Sequence, residues 1–144
     1  MSRKTISPGG HVTGVVELPG DKSISHRYAI LAALGAYTEK GIEIHDAAEL
    51  RVKESDRIAT LATGLRQMGV DVEEFADGLR VACRSAGKLR RAKVDPQGDH
   101  RIAMALSVAA LGADGDTVIR DAECVGVSFP EFFATLERLR GSGA

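Results

Sequence analysis

Ser25-His26-Arg27-Tyr28-Ala29, Ser55-Asp56-Arg57-Ile58-Ala59 and Asp99-His100-Arg101-Ile102-Ala103 are three variants of one phrase. Each follows an extended stretch or loop and precedes an Ala/Leu-rich face at helical spacing, so each reads as a helix start. The arginines fall at positions 27, 57 and 101, a loose period that fits an anciently repeated βα unit.

The neighbouring segments fill in the rest. Residues 12–18 read as a strand stopped by Pro19-Gly20, and residues 23–37 as the first helix. Residues 41–45 alternate and predict a short strand. Residues 51–68 predict the longest helix, with Gly69 just past its end. Residues 70–73 and 79–81 flank Asp77-Gly78 and predict a hairpin. A polar connector over 84–93 leads to Gly98 or Asp99, which opens a third helix ending near Gly112. Residues 116–120 predict a strand, and Ser128-Phe129-Pro130-Glu131 a last helix with proline in its first turn. The order β-α-β-α-β-β-(β)-α-β-α places the chain in the α/β (α+β) class, helices packed on a mixed sheet. No stretch is rich enough in Gly, Pro or Ser to mark a boundary, so residues 1–144 are expected to form a single domain.

Composition narrows the partners. A formal net charge of −1 over 144 residues argues against nucleic acid, and 4% aromatics disfavour base-stacking platforms. No apolar run approaches a membrane span, and Met1-Ser2-Arg3-Lys4 has no apolar core behind it, so a cytoplasmic protein is expected. Cys83 and Cys124 read as free thiols of a reducing compartment. His11, His26, His45 and His100 show no paired spacing with Cys or carboxylates, so no metal site is expected.

The cations at the helix starts are the chemical signal. A helix N-terminus carries partial positive charge, and Lys or Arg in its first turn costs roughly 0.3–1 kcal/mol. Arg27, Arg57 and Arg101 repeat that placement, Lys22 and Lys53 add to it, and Lys53 with Arg57 is a like-charge i, i+4 pair. A bound anion reverses these penalties, because backbone N–H groups, dipole and side chains then all act on it. The alternative is solvated charge paired locally with Asp21, Glu54, Asp56 or Asp99.

Longer stretches carry a resemblance. Leu18-Pro19-Gly20-Asp21-Lys22-Ser23-Ile24-Ser25-His26-Arg27 resembles the N-terminal signature of the 5-enolpyruvylshikimate-3-phosphate synthase (3-phosphoshikimate 1-carboxyvinyltransferase) family. Glu49-Leu50-Arg51-Val52-Lys53-Glu54-Ser55-Asp56-Arg57-Ile58 is similar to its C-terminal signature. Asp99-His100-Arg101-Ile102-Ala103-Met104-Ala105 and Ser128-Phe129-Pro130-Glu131-Phe132-Phe133 resemble two further blocks, in the family's order. Family enzymes have two domains, each of three βαβαββ units. The resemblance implies a shortened form in which a piece over 1–34 joins a piece over 41–144 and the long middle section is missing. What remains is one incomplete half of the two-domain enolpyruvyl transferase fold.

The resemblance also implies roles. In the family, the 5-hydroxyl of shikimate 3-phosphate adds to phosphoenolpyruvate, and the tetrahedral adduct eliminates phosphate; no cofactor is involved. Carried over, Lys22 lies at the reacting centre near the phosphoenolpyruvate phosphate, and Glu54 is the proton donor. Ser23, Arg27 and Lys53 hold shikimate 3-phosphate, Arg57 and Arg101 hold phosphoenolpyruvate, and His100 adjoins that site. The family's base, its Asn-x-Gly-Thr loop and its Ser-Ser-Gln phosphate contacts belong to the missing section. Many members have lysine where this chain has Val127.

Two readings follow. One is an enolpyruvyl transferase, completed by a second copy in a homodimer. The other is a weak or inactive remnant that binds phosphoenolpyruvate, shikimate 3-phosphate or the inhibitor glyphosate. Gly20-Asp21-Lys22-Ser23 echoes a P-loop but lacks its spacing. The related cell-wall enolpyruvyl transferase would want another residue than Ser23 after the lysine.

Overall fold

Alternation along Val70-Asp71-Val72 and Leu79-Arg80-Val81 buries the four apolar side chains and leaves Asp71 and Arg80 outside, the pattern of a sheet covered on one face. In the computed structural model, which describes residues 3–7, 29–30, 32–33, 35–37, 40–83 and 88–141, these stretches lie in strands β3 (Val70–Phe75) and β4 (Gly78–Cys83). They pair antiparallel from Val70↔Cys83 to Phe75↔Gly78, so the turn is Ala76-Asp77. Strand β2 (Ile42–Ile44) pairs antiparallel with β4, giving the order β2-β4-β3.

A second three-stranded sheet has the order β1-β6-β5. Here β1 (Arg3–Ile6) is antiparallel to β6 (Thr117–Arg120), while β5 (Lys93–Val94) is parallel to β6. Parallel neighbours need a crossover. It is supplied by α2 (His100–Ala110), which follows α1 (Arg57–Gln67) and precedes α3 (Phe132–Gly141). Two 3-10 helices, Ala48–Val52 and Ala122–Val127, complete the elements, together with helical backbone at 29–30, 32–33 and 35.

The two long helices bury different amounts of themselves. On α1 the apolar stripe is Ile58, Leu61, Ala62 and Leu65, at i, i+3, i+4 and i+7. On α2, Ile102 to Ser107 are all buried, with Ala109 and Ala110, so this helix is enclosed nearly all round. The hydroxyl of Ser107 is satisfied by donating to Ala103 O at 2.7 Å. The helices meet where α1 carries Gly64: a Cβ there would lie 2.8 Å from Leu106, so only glycine allows this approach. One apolar cluster includes Ile6, Ile44, Val81, Val94, Leu106 and Leu136, and thus reaches both sheets.

Several expectations are corrected. The helix expected over 51–68 begins at Arg57, because residues 48–52 form a 3-10 helix and Lys53 is extended. The carboxylate of Asp56 accepts from Ala59 N at 3.0 Å, and that cap fixes the start more strongly than apolar spacing does. With 11 residues each, α1 is no longer than α2. Residues 130 and 131 form a turn before α3, so proline precedes that helix rather than lying in its first turn. Strand β1 was not expected: Arg3-Lys4-Thr5 is polar, and only Ile6 is fully inside. The end of the helix expected over 51–68 just before Gly69 (φ +82°), the hairpin and the helix opened by Asp99 agree with expectation. The strand expected over 12–18 and the first turns of the helix expected over 23–37 lie outside the described residues.

Candidate anion-binding site

Crossing to α2 brings the residues before α1 against the start of α2. Asp99 caps α2, its Oδ1 accepting from Arg101 N at 3.0 Å. Its other oxygen, Oδ2, accepts from Arg57 Nε at 2.7 Å and from Ser55 Oγ at 2.9 Å. Asp99 is 0% exposed and Arg57 3%. A buried charge pair is tolerated when the geometry is good and the remaining valences are met; here both carboxylate oxygens of Asp99 are engaged. Arg57 Nη2 also donates to Glu54 Oε2, and Glu54 is exposed.

A second arginine holds the loop from the other side. Arg51 Nη1 bonds Asp56 Oδ2 at 2.9 Å and meets Glu74 Oε1 at 3.0 Å; its Nε donates to Ala76 O at 2.9 Å and its Nη2 to Phe75 O. The loop before α1 is thereby tied to the tip of the β3–β4 hairpin. Hydrogen bonding to Asp56, with Glu74 behind it, pushes the Arg51 guanidinium above its ordinary range.

Of the residues expected at the site, Glu54, Arg57 and Arg101 come together around Asp99. Lys53 lies exposed beside Glu54, and His100, the first residue of α2, is half-buried. Lys22, Ser23 and Arg27 lie outside the described residues. Lys53 precedes α1 in extended backbone, so it is not the helical i, i+4 neighbour of Arg57 that its spacing suggested. Nor is the charge of Arg57 solvated: it is paired within the chain, and buried. Sequence reasoning missed Asp99 as a shared acceptor. The available signal was an Asp that caps one helix while a motif-bearing Arg opens another.

Below Arg57 lies a cavity of about 20 Å³ lined by Ala32, Ile44, Leu50, Ile58 and Leu61. That is room for a single water and far too little for a metabolite. Cys124 is half-buried, and burial, with Glu123, Asp99 and Asp121 behind it, pushes its thiol up, so it stays protonated. Among the described residues no His/Cys/Asp/Glu group could hold a metal, and no helix is long and apolar enough to cross a membrane.

Two stretches, residues 6–43 and 35–136, match the sequence model of EPSP synthase (3-phosphoshikimate 1-carboxyvinyltransferase). Their overlap falls between the first and second motifs. The chain is 53% identical over 136 residues to 3-phosphoshikimate 1-carboxyvinyltransferase of Koribacter versatilis, covering 94% of this chain and 31% of that protein. To the enzyme of the same name from Solibacter usitatus it is 52% identical over 126 residues, 88% of this chain and 29% of that protein. EPSP synthase from Acinetobacter baumannii superposes with a TM-score of 0.72 at 34% identity, over 78% of this chain and 26% of that one. The chain thus spans about a third of the length of these curated relatives, and its mixed α/β fold corresponds to part of theirs. With two matching stretches that together run from residue 6 to residue 136, the chain belongs to the EPSP synthase family.

Proposed function

We propose that this chain forms the anion-holding part of a 3-phosphoshikimate 1-carboxyvinyltransferase, which moves the enolpyruvyl group of phosphoenolpyruvate to shikimate 3-phosphate in aromatic amino-acid biosynthesis. One observation carries the reading. The buried Arg57–Asp99 pair joins the second and third helix starts, so Glu54 and Arg57 meet the first turn of the helix that carries Arg101, far along the sequence. Arg57 and Arg101 hold the phosphoenolpyruvate anion, with His100 beside them. In this reading Glu54, exposed beside Arg57, is the proton donor to the methylene carbon once the incoming anion has taken its place on Arg57. Lys22 serves the phosphate, and Ser23, Arg27 and Lys53 serve shikimate 3-phosphate. Residues 1–144 act as one domain, which the shared apolar cluster supports. The protein works in the cytoplasm without a cofactor, and glyphosate binds at the same cations.

A second reading is a binding remnant without turnover. It is favoured by the commitment of Arg57 to Glu54 and Asp99, and by the chain's coverage of only 31% of a close relative. Phosphate release from phosphoenolpyruvate, measured with and without shikimate 3-phosphate, separates the two. Turnover that requires both substrates and is abolished in Glu54→Gln supports the transferase, alone or as a homodimer completing the site. Saturable binding without release supports the remnant. If neither compound binds, both readings fall.

A further inference from the structure

Asp99 bonds Arg57, Ser55 and the first turn of α2, yet it is fully buried and so cannot itself meet a ligand. One oxygen holds the Arg57 side chain and the Ser55 hydroxyl; the other holds the backbone N–H of Arg101 in the first turn of α2. Arg57 opens α1, so a single carboxylate ties the starts of two helices and fixes the guanidinium through its Nε. The close contact of Gly64 with Leu106 lies two turns further along α1, away from the Arg57 guanidinium, whose Nε meets Asp99.

Resting on the anion site proposed above, we infer that Asp99 is its positioning residue: it sets the plane of the Arg57 guanidinium, and anion affinity depends on it although no ligand reaches it. The sign of the effect separates this role from simple charge. Removing a negative charge beside a cationic site should tighten anion binding if Asp99 acted only through Coulomb attraction. A positioning carboxylate predicts the opposite, because a guanidinium free to rotate loses its preorganised fork.

The test uses the Asp99→Asn chain, whose amide oxygen can still cap α2 while its NH2, in the place of Oδ2, donates to Ser55 Oγ and cannot accept from Arg57 Nε. Phosphoenolpyruvate and inorganic phosphate are titrated by calorimetry, and the Arg57 Nε–Hε resonance is followed by NMR in the unliganded protein. Expected is affinity weaker by about tenfold, the low end of what losing an outer-shell partner does at metal sites, with loss of a sharp, exchange-protected Arg57 signal. Equal or tighter binding by Asp99→Asn overturns the inference and leaves the anion site standing. A wild-type chain that binds neither anion removes the proposed function instead. The Arg57 resonance then decides alone: its loss in Asp99→Asn supports positioning, and its survival overturns it. If Asp99→Asn does not fold, Ser55→Ala keeps both charges and removes one bond to Asp99. It should weaken binding about threefold and broaden the same resonance, and no change in either overturns the inference.

Discussion

The two helix starts can be compared side by side. Both α1 and α2 have 11 residues, an Asp cap and an Arg in the first turn. Yet Asp56 pairs with Arg51 at a partly open surface, the side chains 40% and 27% exposed, whereas Asp99 pairs with Arg57 at 0% and 4%. The same residue types, within a few positions, give a solvent-screened clamp in one place and a buried pair in the other. The difference arises from packing: α2 is enclosed nearly all round, and whatever caps it is enclosed as well.

The largest expected effect tests that contrast directly. Asp99→Ala leaves Arg57 buried beside a lost partner and should destabilise the fold by about 3–5 kcal/mol, read from the denaturant midpoint. Asp56→Ala, on the same assay, should cost about 1 kcal/mol, the value of a lost cap. Equal losses would mean that burial is not what distinguishes the two pairs. A smaller effect concerns Glu54, which competes with any incoming anion for Arg57. Glu54→Gln should tighten inorganic phosphate binding about two- to fivefold, as expected for releasing a half-exposed ion pair. Unchanged affinity would place the anion away from Arg57.

The smallest effect lies at the hairpin. His45 stacks on Phe75, and the hydrogen bond to Glu43, with Asp77 assisting, holds its imidazole above the ordinary value of 6.5. Its raised folded value means that its contribution is fully present below the unfolded value and lost as pH rises through the folded one. Asp77 is held below its ordinary value of 3.8, chiefly by the Asp46 N–H. Its contribution is present above that value and lost as pH falls through the folded one. Stability followed across these values should therefore fall slightly on either side of the interval between them. His45→Gln should remove the alkaline part of the slope, and a slope that survives would assign it elsewhere.

What the sequence disclosed follows the range of the physics. Helix starts, the hairpin and the glycine after α1 depend on neighbours within a few residues, and they were legible. The Arg57–Asp99 bond joins residues 42 apart, and nothing in local spacing distinguishes a cap that is also a buried ion partner from one that faces water. The start of α1 was misplaced for the same reason. The helical reading ran back over the polar residues 51–56, while the cap at Asp56 and the bonds of Arg51 to the hairpin draw that stretch out of the helix. Strand β1 was invisible because its order comes from β6 rather than from its own side chains.

That last pairing has a consequence for how the chain is made. Arg3 pairs with Arg120, so among the described strands β1 has no partner until β6, more than a hundred residues later, has been translated. At about 5–20 residues per second that is a wait of roughly 6–20 seconds, during which the hairpin and both long helices can already be in place. An unpaired strand is an aggregation hazard over such a time, and Arg3 and Lys4 keep this one charged until β6 arrives.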